Sequence, residues 1–455
     1  MSGARRPARM RARACGRLLV PAVAWVLASA GGGCRDNPPA PNPSTAPQVR
    51  PNASTPYSLI WLSLDTLRAD HLGLYGYDRP TSPFIDQLAK KGLYFEWAIS
   101  PANSTLPSHM TMFTGHHPAV HQLMHSRQNP GLCLSPAART LPQVLHAAGY
   151  QTLAWTDGAM MAAYYGYARG FEQYRDKTLD PRLKIQAMLH ALDRRNPDKP
   201  FFYFLHTYQV HAPYQAPPPY DTRFESPEPR DEAARSMDIY DGAIAYLDGE
   251  IRKLVAELER RQVLDRTILV ITADHGESFN EYQIAEIGHE GDNLHQNITR
   301  VPWIILHPDS AWRGRRVRGP VGLVDFADTM LALLGRDERM DGDGVNVLDP
   351  KQLDAARPYL SMTGKAWSLY YGEHHLLYSE EYGGPRRNAL FNVVQDPREQ
   401  SPLADAARRD ELIALLKRER DRLEGVSREL TSTLRATGTV PEEVRNDLRR
   451  LGYLN

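Results

Sequence analysis

Ser58-Leu59-Ile60-Trp61-Leu62-Ser63-Leu64-Asp65 is a near-continuous apolar run that stops on a carboxylate. A strand with one wet face would alternate apolar and polar residues. This one does not, which predicts a parallel strand buried on both faces. Open α/β sheets place their ligands beyond the carboxyl ends of the strands, so Asp65 stands where a site is expected. Residues 152–155, 201–205 (ending at His206), 267–272 (followed by Asp274-His275-Gly276) and 301–306 repeat the pattern. Between them, 81–92 and 141–149 read as helices. Residues 240–258 do so too, with Ile244, Leu247, Ile251, Leu254 and Leu258 at helical spacing. Strands alternating with helices predict a doubly wound, mostly parallel sheet sandwiched by helices. Past Gly344 the pattern changes. Short apolar segments at 376–378 and 389–394 predict a smaller antiparallel sheet, and 405–424 and 441–451 a charge-rich helical tail.

A second stretch carries the chemistry. Ser104-Thr105-Leu106-Pro107-Ser108-His109, closing at Thr114-Gly115, follows an alternating segment (Leu93, Phe95, Trp97, Ile99) that reads as a strand edge and loop. Pro107 near a first helical position loses no hydrogen bond, so a helix starts here. The Thr105 hydroxyl then sits at a helix N-terminus, where free N–H groups favour an anion. Taken alone, that is also an ordinary capping threonine. Three strand ends, however, aim polar groups the same way: Asp65, His206 with His211, and Asp274 with His275. Asp65, Asp274, His275 and the Thr105 hydroxyl make a cage for one divalent cation. The nitrogen donor leans towards manganese or zinc, with calcium or magnesium also admissible. Such a cation would activate Thr105 as a nucleophile. His211 (in His211-Ala212-Pro213-Tyr214) and His289 (in Gly288-His289-Glu290-Gly291) would donate to a leaving group or to equatorial oxygens. Each histidine taken singly, among 16, also fits a surface or satisfied core position. No further Asp-x-x-x-His pairing stands out, so one ion is expected rather than two.

At 455 residues the chain is long enough for one large domain and a smaller one. Its formal net charge is zero, which gives no electrostatic case for nucleic acid as partner. The start is basic, however. Arg5, Arg6, Arg9, Arg11, Arg13 and Arg17 precede an apolar run from 18 to 30 and then Gly31-Gly32-Gly33-Cys34. That order describes a secretory signal, too short to be a comfortable membrane span. Cleavage after Ala30 would release a soluble exported protein. Cleavage before Cys34 would leave a lipid-modified cysteine, as in bacterial lipoproteins, although Gly31 stands where an aliphatic residue is usual. The lipoprotein reading is preferred, because 35–55 is rich in Pro, Asn, Ser and Ala and suits a tether. It places the protein in the bacterial periplasm or cell envelope, anchored through Cys34. Cys15 falls in the signal, which leaves Cys133 alone and no disulfide framework. The expected organisation is a signal with its cysteine (1–34), a disordered linker (35–56), a catalytic domain (57–344), and a C-terminal subdomain with a helical tail (345–455).

Leu64-Asp65-Thr66-Leu67-Arg68-Ala69-Asp70-His71-Leu72-Gly73 with Tyr75-Gly76-Tyr77 resembles the first signature of the sulfatase family of the alkaline phosphatase superfamily. Thr105-Leu106-Pro107-Ser108-His109 resembles the family's nucleophile motif, and His211-Ala212-Pro213-Tyr214 its substrate-histidine loop. Ala273-Asp274-His275-Gly276-Glu277 resembles its second metal motif, and Gly288-His289 through Arg300-Val301-Pro302 the segment after it. The resemblance runs in order from residue 57 to about 405. It implies an ester hydrolase with Asp65, Asp274 and His275 as metal ligands and Thr105 as ligand and nucleophile. His211 and His289 would be substrate or leaving-group residues, and His109 would take the place of the family's arginine. Small-molecule, glycan or lipid-headgroup esters are the substrates so implied.

Two departures shift the chemistry. The family's sulfatases carry cysteine or serine at the Thr105 position, converted to formylglycine, and threonine cannot be converted. A second acidic ligand is replaced by Thr66. A formylglycine hydrate sheds sulfate by elimination through its second hydroxyl, an exit a threonine ester lacks, whereas a threonine phosphate is open to in-line attack. Threonine nucleophiles with this metal set resemble those of nucleotide pyrophosphatases and of phosphoethanolamine and glycerolphosphate transferases. A phosphoester hydrolase or transferase is therefore the first expectation. A sulfuric ester hydrolase without formylglycine, or an inactive binding protein on the same fold, are the alternatives. The Pro-rich and charged insertion at 215–232 is expected to rim the cleft and set the substrate.

Overall fold

β1 (Ser58–Leu64) is buried at every position and lies in the middle of an eight-stranded sheet. Its companions are β2 (Leu93–Ile99), β3 (Gln151–Trp155), β4 (Gln173–Arg175), β5 (Phe201–Thr207), β6 (Thr267–Thr272), β7 (Arg300–Leu306) and β8 (Arg315–Gly322). The order across the sheet is β4-β3-β5-β1-β6-β7-β2-β8. Every neighbouring pair is parallel except those made by β7, which runs against both β6 and β2. The computed structural model describes residues 56–451 apart from 125–131, 178–179, 227, 229, 283–286, 290, 354–355, 381–387 and 432–439. The signal, Cys34 and all but the last residue of the expected linker lie outside the described residues. Among the described residues, no helix is long and apolar enough to cross a membrane.

The reversal of β7 has a simple cause. Parallel neighbours need a crossover, usually a helix, to carry the chain back to the starting edge. Each of the longer crossovers has one: α1 (Pro83–Lys91), α2 (Thr105–Thr114), α3 (Pro118–His121), α4 (Leu141–Ala147), α5 (Pro181–Arg194) and α6 (Glu232–Arg260). Between β6 and β7 the only described helix is the four-residue α7 (Gln296–Thr299). The chain leaves β6 at its carboxyl end, makes an excursion there, and re-enters from the same edge. That excursion holds Asp274, His275, Glu277 and His289.

Two helical groups cover the sheet, α1 and α5 against α6, and α2 against α4 and α8 (Phe326–Leu333). Trp61 of β1 anchors the second group, its ring 4.2 Å from Phe326, 4.5 Å from Phe204 and 5.3 Å from Phe113. α9 (Pro350–Leu353) then leads into β9 (Tyr359–Met362), β10 (Ala366–Tyr371), β11 (His374–Ser379) and β12 (Leu390–Asn392). These form a separate antiparallel sheet in the order β12-β11-β10-β9. The long α10 (Ala406–Thr431) lays Leu412, Leu416 and Leu423 against its Leu369, Leu376 and Leu390, and α11 (Glu442–Arg450) ends the described chain. Hydrogen bonds tie this sheet to the larger one. Ser361 Oγ donates to Ser100 O at 2.6 Å, and Tyr370 and Thr299 share a hydroxyl–hydroxyl bond of 2.8 Å. Glu399 is buried between two imidazoles, His295 of the β6–β7 excursion at 2.7 Å and His375 of β11.

Candidate active site

Strand register assembles the site. Ser63 of β1 pairs with His206 of β5 on one side and with Thr272 of β6 on the other. The residues that follow each strand end, Asp65 and Asp274, therefore come together at one level with His206. Past Asp65 the backbone turns through Thr66 in a left-handed conformation (φ 57°) that a β-branched residue rarely accepts. The turn aims the Thr66 N–H at Asp274 Oδ1, at 3.3 Å. Gly276 closes the other side. A Cβ there would lie 1.9 Å from the Asn297 carbonyl oxygen, and Gly276 N donates to Ile298 O at 2.7 Å, so only glycine lets the two passes of the excursion approach.

Thr105 is the first residue of α2, with Ser104 in the extended N-cap conformation. Fully buried, its hydroxyl donates to Asp65 Oδ2 at 3.1 Å and stands 3.5 Å from His275 Nε2. His275 Nδ1–H donates to the Gly276 carbonyl at 2.9 Å, which leaves Nε2 as the basic nitrogen facing the cluster. That nitrogen is 3.4 Å from Asp274 Oδ2 and 4.0 Å from Asp65 Oδ1. Burial and the neighbouring Asp274 push the Asp65 carboxyl well above its usual range. For Asp274 burial acts in the same direction, but the imidazoles of His275 and His109 outweigh it and hold the group low. Asp65 Oδ1 and Asp274 Oδ2 are buried without a hydrogen-bond partner.

Two further histidines flank this cluster. The His289 ring centroid lies 4.5 Å from that of His275 and 5.0 Å from that of His211. His289 Nδ1 faces the buried Glu277 carboxylate at 3.3 Å. Asn103, immediately before the nucleophile stretch, donates to the carbonyls of His289 (2.8 Å) and Gly291 (2.9 Å) and so holds that loop. His211 Nδ1–H donates to Ala212 O at 2.7 Å, and burial, followed by His289, pulls its imidazole down to about 4. Beneath the cluster lies His109. Its Nε2 is 2.8 Å from Ser63 Oγ, and its Nδ1 is 3.1 Å from Thr105 O and 3.4 Å from Asp274 Oδ2.

All the residues singled out from sequence thus fall in one place. Three that matter here had drawn less notice. His206 was visible as a strand end and a spare histidine donor, and its contact with Asp65 Oδ2 (3.0 Å) depends on which strand lies beside β1. Glu277 lies inside a motif, but its partner is twelve residues on. Lys184, on α5, was not singled out from sequence. It is fully buried, donating to Asp157 Oδ2 at 2.6 Å and to the His206 carbonyl at 2.8 Å. In the insertion expected to rim the cleft the described residues before Glu232, the first residue of α6, form no helix or strand, and the Tyr220 carbonyl rests against α6 at Gly242.

Comparison with known proteins identifies a family and several relatives. The Sulfatase family model matches residues 58–336. An arylsulfatase of Clostridium perfringens is 22% identical over 463 residues, covering 79% of this chain and 93% of that protein. The Kdo(2)-lipid A phosphoethanolamine 7''-transferase of Escherichia coli K12 is 28% identical over 238 residues, 49% of this chain and 39% of the transferase. The chain therefore matches well under half of that relative's length. Among solved structures, a phosphonate monoester hydrolase of Agrobacterium radiobacter superposes with a TM-score of 0.66 at 15% identity, covering 81% of this chain and 95% of the hydrolase.

Proposed function

The chain belongs to the sulfatase family, and from that premise we propose a metal-dependent esterase or transferase that uses Thr105 as its nucleophile on a phosphate mono- or diester. The observation that carries this is the Thr105 hydroxyl itself. It is buried at the first turn of α2, 3.1 Å from Asp65 and 3.5 Å from His275, on a side chain that cannot become formylglycine. The N–H groups of the first turn of α2 suit a phosphoryl oxygen. The transferase named above moves a phosphoethanolamine group, which supports phosphoryl transfer in a member of this family.

The residues fit a divalent cation. Asp65 Oδ1 and Asp274 Oδ2 are orphaned in a water-excluded site, and two adjacent carboxylates there do not both ionise without a compensating charge. Asp65, Thr105, Asp274 and His275 would hold the ion. Bound there, it polarises the ester oxygen and lowers the pKa of the Thr105 hydroxyl. The chain's own groups do the rest. Asp65 Oδ2 takes the hydrogen bond of Thr105 and so fixes its hydroxyl rotor. Glu277, held low by the charge of His289 against the pull of burial, favours the His289 imidazolium, the form that protonates a leaving oxygen. His211 stays neutral through burial and acts as the base towards the incoming water or acceptor hydroxyl.

Export and anchoring through Cys34 are part of the same proposal and rest on the basic–apolar–cysteine order of the N-terminus. The test of the chemistry is a rate comparison, with manganese or zinc supplied, on aryl sulfate, aryl phosphate monoester and aryl phosphodiester. A phosphate ester is expected to react fastest, with Thr105→Ala slower by about 10³-fold or more. Preference for the sulfate, or an active Thr105→Ala, overturns the reading.

A further inference from the structure

Asp65 belongs to two groups of potential ligands. One is the set just described, Asp65 with Asp274 and His275. The other is Asp65 with His109 and His206, whose ligand atoms likewise lie within 4.8 Å of one another. All five side chains are buried. We propose that the second group is a cation site in its own right, an inner position beneath the nucleophile that shares the Asp65 carboxylate with the outer one. This rests on the reading of the outer set as a cation site.

The donor spacing supports it. Atoms that share a cation at roughly 2.0–2.2 Å lie roughly 3–4 Å from one another. In the outer set Asp274 Oδ2–His275 Nε2 is 3.4 Å, His275 Nε2–Asp65 Oδ1 4.0 Å and Thr105 Oγ1–His275 Nε2 3.5 Å. The inner set is as compact: His206 Nε2–Asp65 Oδ2 is 3.0 Å, and the His109 and His206 ring centroids lie 5.0 Å apart. Asp65 thus offers Oδ1 to His275 at 4.0 Å and Oδ2 to both Thr105 (3.1 Å) and His206 (3.0 Å), which makes it the carboxylate the two positions share.

The surroundings of the histidines suit ligation. Ser63 Oγ, 2.8 Å from His109 Nε2, accepts a proton held on that nitrogen and frees Nδ1 for the cluster. Thr105 O, the other neighbour of Nδ1, already takes the helical N–H of His109, so losing the imidazole bond leaves no orphan. The His206 backbone is fixed by Lys184 Nζ on its carbonyl (2.8 Å), which sets the ring beside Asp65. Two imidazoles with one or two carboxylates are the donors of a zinc-class divalent ion. Bare alkaline-earth ions prefer an all-oxygen cage and fit the inner position poorly.

The measurement is metal content. The purified chain, stripped with chelator and dialysed against excess zinc, is expected to hold two ions per chain by elemental mass spectrometry. His206→Gln and His275→Gln are each expected to hold one, and the double variant none. Far-UV circular dichroism of the metal-free proteins separates lost ligation from lost folding. If His206→Gln does not fold, His109→Gln and the wild-type count decide. One ion in the wild type overturns the inner site and leaves the proposed function standing. No ion in the wild type removes both. Two ions retained by a folded His206→Gln also overturns it.

Discussion

At the scale of single residues, the division of labour proposed for His211 and His289 rests on what each Nδ1 meets. A carbonyl fixes a tautomer and favours charge less than a carboxylate does, and His211 Nδ1 meets the Ala212 carbonyl. A carboxylate favours the imidazolium, and His289 Nδ1 meets Glu277. Glu277→Gln keeps the hydrogen-bond acceptor and removes the charge. Its effect is expected to depend on the leaving group, with kcat falling about 10–100-fold for a poorly acidic alcohol and by little for a nitrophenolate, which needs no proton. An equal loss on both substrates would assign Glu277 a purely structural part.

At the scale of elements, the strands that build the site were legible because a buried parallel strand has no polar interruptions. The runs ending at Asp65, His206 and Asp274 each announce both a strand and its functional tip. Direction was not legible. The apolar run of β7 is the same read either way, and its reversal goes with a connection whose described residues hold only the four-residue α7. The start of α6 was also out of reach. It begins at Glu232, eight residues before Tyr240, capped by Asp231, whose carboxylate accepts from Ala234 N at 2.8 Å. The intervening turns are mostly half exposed, and only Ala233 and Met237 carry the apolar spacing back from Tyr240 to the core. Within the site, pairwise contacts such as Asp65–His206 needed the strand order, which no single run encodes.

The join between α5 and β5 gives a second test at this scale. Lys184 holds the His206 carbonyl, and Asp157, its partner, also accepts from Tyr208 N at 2.8 Å. The pair clamps the strand end from which His206 and His211 project. Lys184→Met leaves a buried carboxylate unmatched and is expected to cost about 3–5 kcal/mol in urea unfolding. Adding Asp157→Asn should restore part of that loss. A single variant as stable as the wild type would show that the clamp contributes nothing.

For the whole molecule, buried histidines set the acid limit. His117, His121 and His307 each accept a backbone N–H on Nδ1, from Ala119 (3.2 Å), Leu123 (3.0 Å) and Asp309 (3.0 Å). Protonating Nδ1 would break that bond inside the core. Burial accordingly pulls His117 and His307 down to about 4 and His121 to about 3. An unfolded histidine titrates near 6.5. Between those values the unfolded chain binds more protons, so stability rises with pH. It is complete above about 6.5 and is lost as pH falls towards 4, by roughly 1–3 kcal/mol per group. Melting temperatures taken from pH 4.5 to 7 should climb steeply. His307→Asn, which keeps an acceptor for Asp309 N but cannot be charged, should flatten the slope, and an unchanged slope would count against this account.

Glu399, lodged between His295 and His375, also bears on timing. A chain made from its N-terminus exposes Asp65, Thr105 and His211 early, and the excursion with Asp274 and His289 later. The carboxylate that locks the far end of that excursion is among the last groups to emerge. A product stopped short of Glu399 would own every residue named in the chemistry and still lack its latch. Such a truncated chain is expected to be inactive and quickly digested by protease, while the finished one is neither. On the proposed function, competence would then arrive only with completion, and a half-made copy would carry no working site.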